Sequence, residues 1–185
     1  MTTDKPRVVP RRHLFRALLG REIPTETPPA TPGNDPVASR PAPHAAGDAA
    51  YALGDYPAAV AAYRESVRGD LSNVPVRARL GYALYVTGHL VQARVEFEHG
   101  LRLTDGADAF CRLGLGLTLI ALGKVEKAAD VLEHFTAPDL EELTALARRI
   151  AGRLRAAEMT DPTPLRLTLE RSARAMAFLP ETGAA

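Results

Sequence analysis

Residues 80–97 read LGYALYVTGHLVQARVEF. Leu80, Gly81 and Leu84 fall on one face of a helix, Gly88 interrupts, and Ala93 and Phe97 resume the same spacing beyond it. The stretch therefore predicts helix, turn, helix. A glycine at the stop fits a left-handed cap, which glycine adopts without steric cost. A shift of 34 residues toward the N-terminus brings Gly47, Ala50, Gly54, Ala59 and Tyr63 into register. A shift of 35 the other way does the same for Leu115, Gly116, Leu119, Gly123, Ala128 and Leu132. Gly81 and Gly116, paired with Ala93 and Ala128, are small where two helix axes must approach. Tyr63, Phe97 and Leu132 are large where a knob must fill the space between hairpins. One hairpin cannot bury its own apolar face, so the expected fold is a stack of them.

A helical hairpin recurring at this interval resembles the tetratricopeptide repeat family, and the resemblance covers roughly residues 43 to 136. There are departures. Arg77 and Arg112 stand where the family has an early aromatic residue, and Leu71 and Asp105 where it has a closing proline. Phe135 replaces a small residue, so the helix after the third unit must make room for it. The resemblance implies an all-α solenoid with C-terminal capping helices, in which the first helices of the units line a concave groove. The lining it implies is His44, Asp48 and Tyr51, then Ala78, Tyr82, Tyr85 and Val86, then Phe110, Leu113, Leu117 and Ile120. Family members that clamp the C-terminal carboxylate of heat-shock chaperones use lysine, asparagine and arginine at such places. Tyrosine, leucine and phenylalanine stand here instead, which suits an amphipathic helix or an apolar extended peptide. The same residues are equally suited to packing on a neighbouring helix of this chain, the C-terminal one included.

At 185 residues the chain has the size of one domain with tails. Charged residues make up 24% and the net charge is +1, so nothing marks the bulk as nucleic-acid-binding or membrane-embedded. The single cysteine, Cys111, excludes an intramolecular disulfide and fits a reducing cytoplasm.

Residues 1–21 form a basic head. Within it Leu14, Phe15, Leu18 and Leu19 share one side of a short helix, with Arg11, Arg12 and Arg16 elsewhere. Arg11, Arg12, Leu14, Phe15 and Arg16 resemble a twin-arginine export motif, but Arg21, Glu22 and Pro24 cut short the apolar run an export signal requires. The chain is therefore expected to stay cytoplasmic. The head itself is open to three uses: a disordered tail, a docking motif for a partner or for the chain's own groove, or a weak membrane-surface contact. Residues 22–42 are rich in proline and poor in large apolar side chains, the composition of an extended spacer. The repeat domain with its capping helix is expected over 43–157, and a C-terminal helix and tail over 158–185.

The capping segment begins with Asp139 and Glu142 at capping-box spacing. Leu140, Leu143, Ala147, Ile150 and Leu154 form one apolar stripe, backed by Arg148, Arg149, Arg153 and Arg155. No aromatic residue interleaves these arginines, as a nucleic-acid surface would require. In the last segment Leu165, Leu169, Ser172, Met176 and Leu179 fit a helical face, while Leu165, Leu167 and Leu169 also alternate as in a strand.

Chemistry is hard to find. His13, His44, His89, His99 and His134 lack metal-ligand spacing. Cys111 sits in an apolar helical stretch, where a buried structural thiol is expected. The glycines are spaced for packing and turns, not for cradling phosphate. No catalytic residue, metal or cofactor is expected. The sequence points to a non-catalytic protein–protein interaction module, an adaptor, scaffold or assembly factor that takes a peptide or helix in its groove. The rival function is an accessory or chaperone-like factor for a redox or membrane complex, docked through the Arg11–Arg12 motif.

Overall fold

At three helix ends a glycine makes the same turn. Gly54, Gly88 and Gly123 have φ of 74°, 79° and 69°. At each, the next residue donates its amide five residues back, Asp55 to Ala50, His89 to Leu84 and Lys124 to Leu119, at 2.9, 2.8 and 2.9 Å. This is the Schellman closure, and it satisfies helix-end carbonyls that would otherwise lack donors. Helix starts are fixed as locally. Asp55, Asn73 and Asp108 accept the amides of Ala58, Val76 and Cys111 at 3.1, 3.1 and 2.6 Å. Pro57 and Pro75 stand in first turns, where a missing donor costs nothing.

The computed structural model describes residues 42–156 and 161–181. The basic head and nearly all of the spacer lie outside them. The described residues form eight helices and no strand: α1 (Ala45–Ala52), α2 (Tyr56–Gly69), α3 (Val74–Val86), α4 (Leu90–Leu103), α5 (Ala109–Ala121), α6 (Val125–Glu133), α7 (Glu141–Arg155) and α8 (Thr163–Ala175). From α1 to α7 each helix packs against the next; α3 also meets α5, and α8 packs on α5 and α7. The fold is all-α, built of stacked helical hairpins.

The small and large positions of the repeat meet in space. A Cβ placed on Gly47 would stand 2.5 Å from the Tyr63 ring, one on Gly81 2.8 Å from Phe97, and one on Gly116 2.5 Å from Leu132. Ala59, Ala93 and Ala128 are fully buried. Phe97 does more than its counterparts, because its ring also lies against Gly114 of the next hairpin. Glycine is required at these places for closeness rather than for backbone conformation.

The departures from the family pattern have physical explanations. Arg77 is 3% exposed, and it fills its slot as a polar plug. Its Nε donates to the Leu71 carbonyl at 2.8 Å and its guanidinium to Glu96 at 2.7 Å, tying α3 to the preceding loop and to α4. Arg112 donates to the Gly106 carbonyl and braces the loop before α5. Room for Phe135 comes from α6 ending early, at Glu133, nine residues long where α2 and α4 have 14. The ring is fully buried just past the helix end.

The capping box does not form. Helix α7 begins at Glu141 with Leu140 as its cap and no side-chain cap bond, so Asp139 stands one residue too early. The Thr144 hydroxyl instead ties down the loop ahead of the helix, accepting the Ala137 amide at 3.0 Å. Leu143, Ala147, Ile150 and Leu154 are buried, and Arg148, Arg149 and Arg153 are exposed. Arg155 reaches back to Asp130 and Glu133 of α6 at 3.1 and 2.9 Å. The last segment is helical, with Pro164 in its first turn and Leu167 exposed. Helix α8 closes through Ala177, whose φ of 55° is left-handed without being glycine. The Phe178 amide bonds the Ala173 carbonyl at 2.8 Å. Met176 and Leu179 thus lie past the helix, with Leu179 buried in the turn that follows.

Candidate interaction site

The tyrosines form a row. Tyr51 of α1 meets Tyr56, Tyr63 and Tyr82 edge-on, with ring centroids 5.6, 6.1 and 6.1 Å away. Tyr82 of α3 meets Phe110 of α5 at 5.9 Å, and Phe110 stacks on Phe178 of the C-terminal tail at 6.0 Å. Phe178 in turn meets Phe135 edge-on at 5.8 Å. Such offset and edge-on pairs add to the gain from simple burial. An aromatic seam therefore crosses from the first hairpin to the end of the chain.

The residues expected to line a groove fall into two groups. Tyr82, Tyr85, Leu113, Leu117 and Ile120 are buried, as is Ala78. Tyr51, Val86 and Phe110 are partly exposed, together with His44 and Asp48. The difference lies in what covers them. Helix α8 packs on α5, and the tail beyond it crosses the tyrosines. The Tyr56 hydroxyl donates to the Glu181 carbonyl at 3.3 Å, and the Tyr82 hydroxyl to the Pro180 carbonyl at 3.4 Å. Of the two uses open to these side chains, packing on the chain's own C-terminal helix is present at the buried ones.

Under α8 lies a polar cluster that sequence reasoning missed. Glu170 is 5% exposed, and its carboxylate accepts from the Tyr85 hydroxyl and from Arg166, with Arg174 at 3.3 Å. Arg166 also donates to the Tyr85 hydroxyl oxygen at 2.7 Å. A buried carboxylate persists only when it is paired in this way. Burial, and then the Glu170 carboxylate, push the Tyr85 phenol up from its ordinary range. The available signal was the i, i+4, i+8 spacing of Arg166, Glu170 and Arg174, which puts them on one side of α8.

A second polar group stands at the α1 end of the seam. Asp48 accepts from the Tyr63 hydroxyl and from Arg79 of α3, both at 2.7 Å. Burial, and then the bond to Asp48, push the Tyr63 phenol up. Burial, reinforced by the neighbouring phenols, does the same to Tyr51.

Between the helix starts and the tail is a cavity of about 570 Å³. One wall is Tyr51, Pro75, Ala78 and Phe110; the other is Ala177 to Glu181, and Arg79, Asp108 and Arg174 add charge. Its size is that of an ordinary ligand pocket, mostly apolar with a few polar groups. Cys111 lies elsewhere, fully buried with its Sγ against Gly100, and burial, followed by Asp108, pushes its thiol up. A thiol held in that form is a poor nucleophile. Among the described residues no group of histidine, cysteine, aspartate and glutamate has the arrangement of a metal site, and no helix is long and apolar enough to cross a membrane. Arg11, Arg12, Leu14, Phe15, Arg16 and Leu18 lie outside the described residues.

No protein-family model matches the chain, and no curated protein matches it.

Proposed function

We propose that this chain is a tetratricopeptide-like adaptor without catalytic activity, which holds an apolar or amphipathic segment of a partner protein against the face shared by α1, α3 and α5. The observation that carries this is the cavity at the one part of that face where aromatic walls stay partly open, between Tyr51, Phe110 and the tail. Rings with an apolar body and a polar edge make good interface anchors. Arg79 and Asp108 at the same opening supply polar contacts for orienting a bound backbone. The 34- and 35-residue register and its small-against-large contacts support the family resemblance. Partner binding through stacked hairpins is an expectation from architecture, and architecture alone does not choose the partner.

Selection of a displayed peptide library on the full-length chain tests the proposal. Peptides with apolar anchors should be enriched, and Phe110→Ser should abolish their binding while the protein still melts cooperatively. Enrichment that is unchanged by Phe110→Ser would place binding elsewhere and refute it.

A further inference from the structure

The chain's own tail exhibits the chemistry that this face recognises. Phe178 lies on Phe110 and against Phe135, Leu179 is 2% exposed, and Pro180 and Glu181 line the cavity together with Arg79 and Arg174. The long-range hydrogen bonds that hold this stretch run from Tyr56 and Tyr82 to main-chain carbonyls. Hydroxyls that read carbonyls accept any segment of suitable shape, so the selectivity falls to the side-chain seats. Those seats take two consecutive apolar residues and then a proline, while Glu181 is exposed and is held through its carbonyl. The two hydroxyl bonds on the tail are weak, because both are long, at 3.3 and 3.4 Å, so its hold comes from the Phe178 and Leu179 side chains. The hinge before it is also strained, with Ala177 in the left-handed region at φ 55°.

We propose that the partner presents a segment of two consecutive apolar residues followed by a proline, which takes the place of Phe178–Glu181 on the seam. This rests on the adaptor function proposed above and names its ligand. The docked tail is then a built-in competitor. If it occupies the seam in roughly nine molecules of ten, a segment in trans binds about tenfold more weakly than to the bare site.

The test uses a fluorescent peptide, AMAFLPET, with the sequence of residues 175–182. Full-length wild type is compared with the full-length Phe178→Ser/Leu179→Ser chain, whose tail lacks both anchors. Expected is binding about tenfold tighter or more to the double variant. It should be weakened when Tyr56→Phe and Tyr82→Phe are added, and absent for a peptide carrying the same two serines. Equal binding by both chains, or none by either, overturns the proposal, although peptides selected as above would still support the adaptor function. A double variant that no longer melts cooperatively shows the tail to be core and overturns it too. A mass that doubles with concentration would make the occupant the tail of a second copy, again overturning the assignment.

Discussion

Alanine at Gly114 should destabilise the protein, although the same change at Gly152 should stabilise it. Both glycines lie inside helices, and in a helix interior alanine is favoured over glycine by about 1 kcal/mol. Around Gly152 no atom lies within 4 Å of a new Cβ. There the full gain is expected, worth ~3 °C in Tm for a domain of this size. At Gly114 a Cβ would stand 2.6 and 2.8 Å from Cε1 and Cε2 of Phe97, closer than carbon atoms can approach. The ring has little room to retreat, because it is fully buried and also lies against Gly81. Overpacking of this kind costs ~1–3 kcal/mol, which offsets the helical gain and leaves a net loss of up to about 2 kcal/mol. The decisive measurement is urea unfolding in two backgrounds. Phe97→Ala alone should cost about 3–5 kcal/mol. With the ring gone, Gly114→Ala should turn from destabilising to stabilising, a coupling of roughly 1–3 kcal/mol. If Gly114→Ala has the same sign and size with and without the ring, Phe97 does not pack between the hairpins as described.

Three further outcomes are expected. Removing Glu96 strands the Arg77 guanidinium, whose side chain is 4% exposed; Glu96→Ala should cost about 3 kcal/mol, and Arg77→Met with Glu96→Leu should recover most of it, as urea midpoints would show. The phenols of Tyr51, Tyr63 and Tyr85 are held protonated when folded, chiefly by burial. Unfolded phenols lose their protons near pH 10, so stability should be level below that and fall as pH rises through it, less steeply in Tyr51→Phe; equal slopes would refute this. Iodoacetamide should label Cys111 only as fast as the protein unfolds, and rapid native labelling detected by mass spectrometry would contradict its burial.

The hairpins were legible because what specifies them is local. A capping carboxylate or amide, a proline in the first turn, a glycine at the stop and a small residue opposite a large one all lie within one repeat. Polar side chains whose partners are chosen by the packed structure were not legible. Arg77 gave no sign that Glu96 would draw it inside, and Asp139 with Glu142 had the right spacing but the wrong helix start. The covering of Tyr82, Tyr85, Leu113 and Leu117 was half visible. The stripe on α8 announced a face to be buried, but a stripe does not name its partner. That choice was made by Glu170 finding the Tyr85 hydroxyl 85 residues away in the chain, a pairing no periodicity encodes.

The row of tyrosines also gives the molecule an optical character. The chain has no tryptophan, and all five of its tyrosines stand in that one seam, next to the tail. Its tyrosine emission and the tyrosine bands of its near-ultraviolet circular dichroism therefore originate from a single place. No residue after Tyr85 contributes to them. When Tyr56 and Tyr82 exchange a carbonyl for water, the signal changes without any attached dye. Helix loss, followed in the far ultraviolet, is read by a separate set of chromophores. Tail departure and unfolding can thus be timed independently in one unlabelled sample.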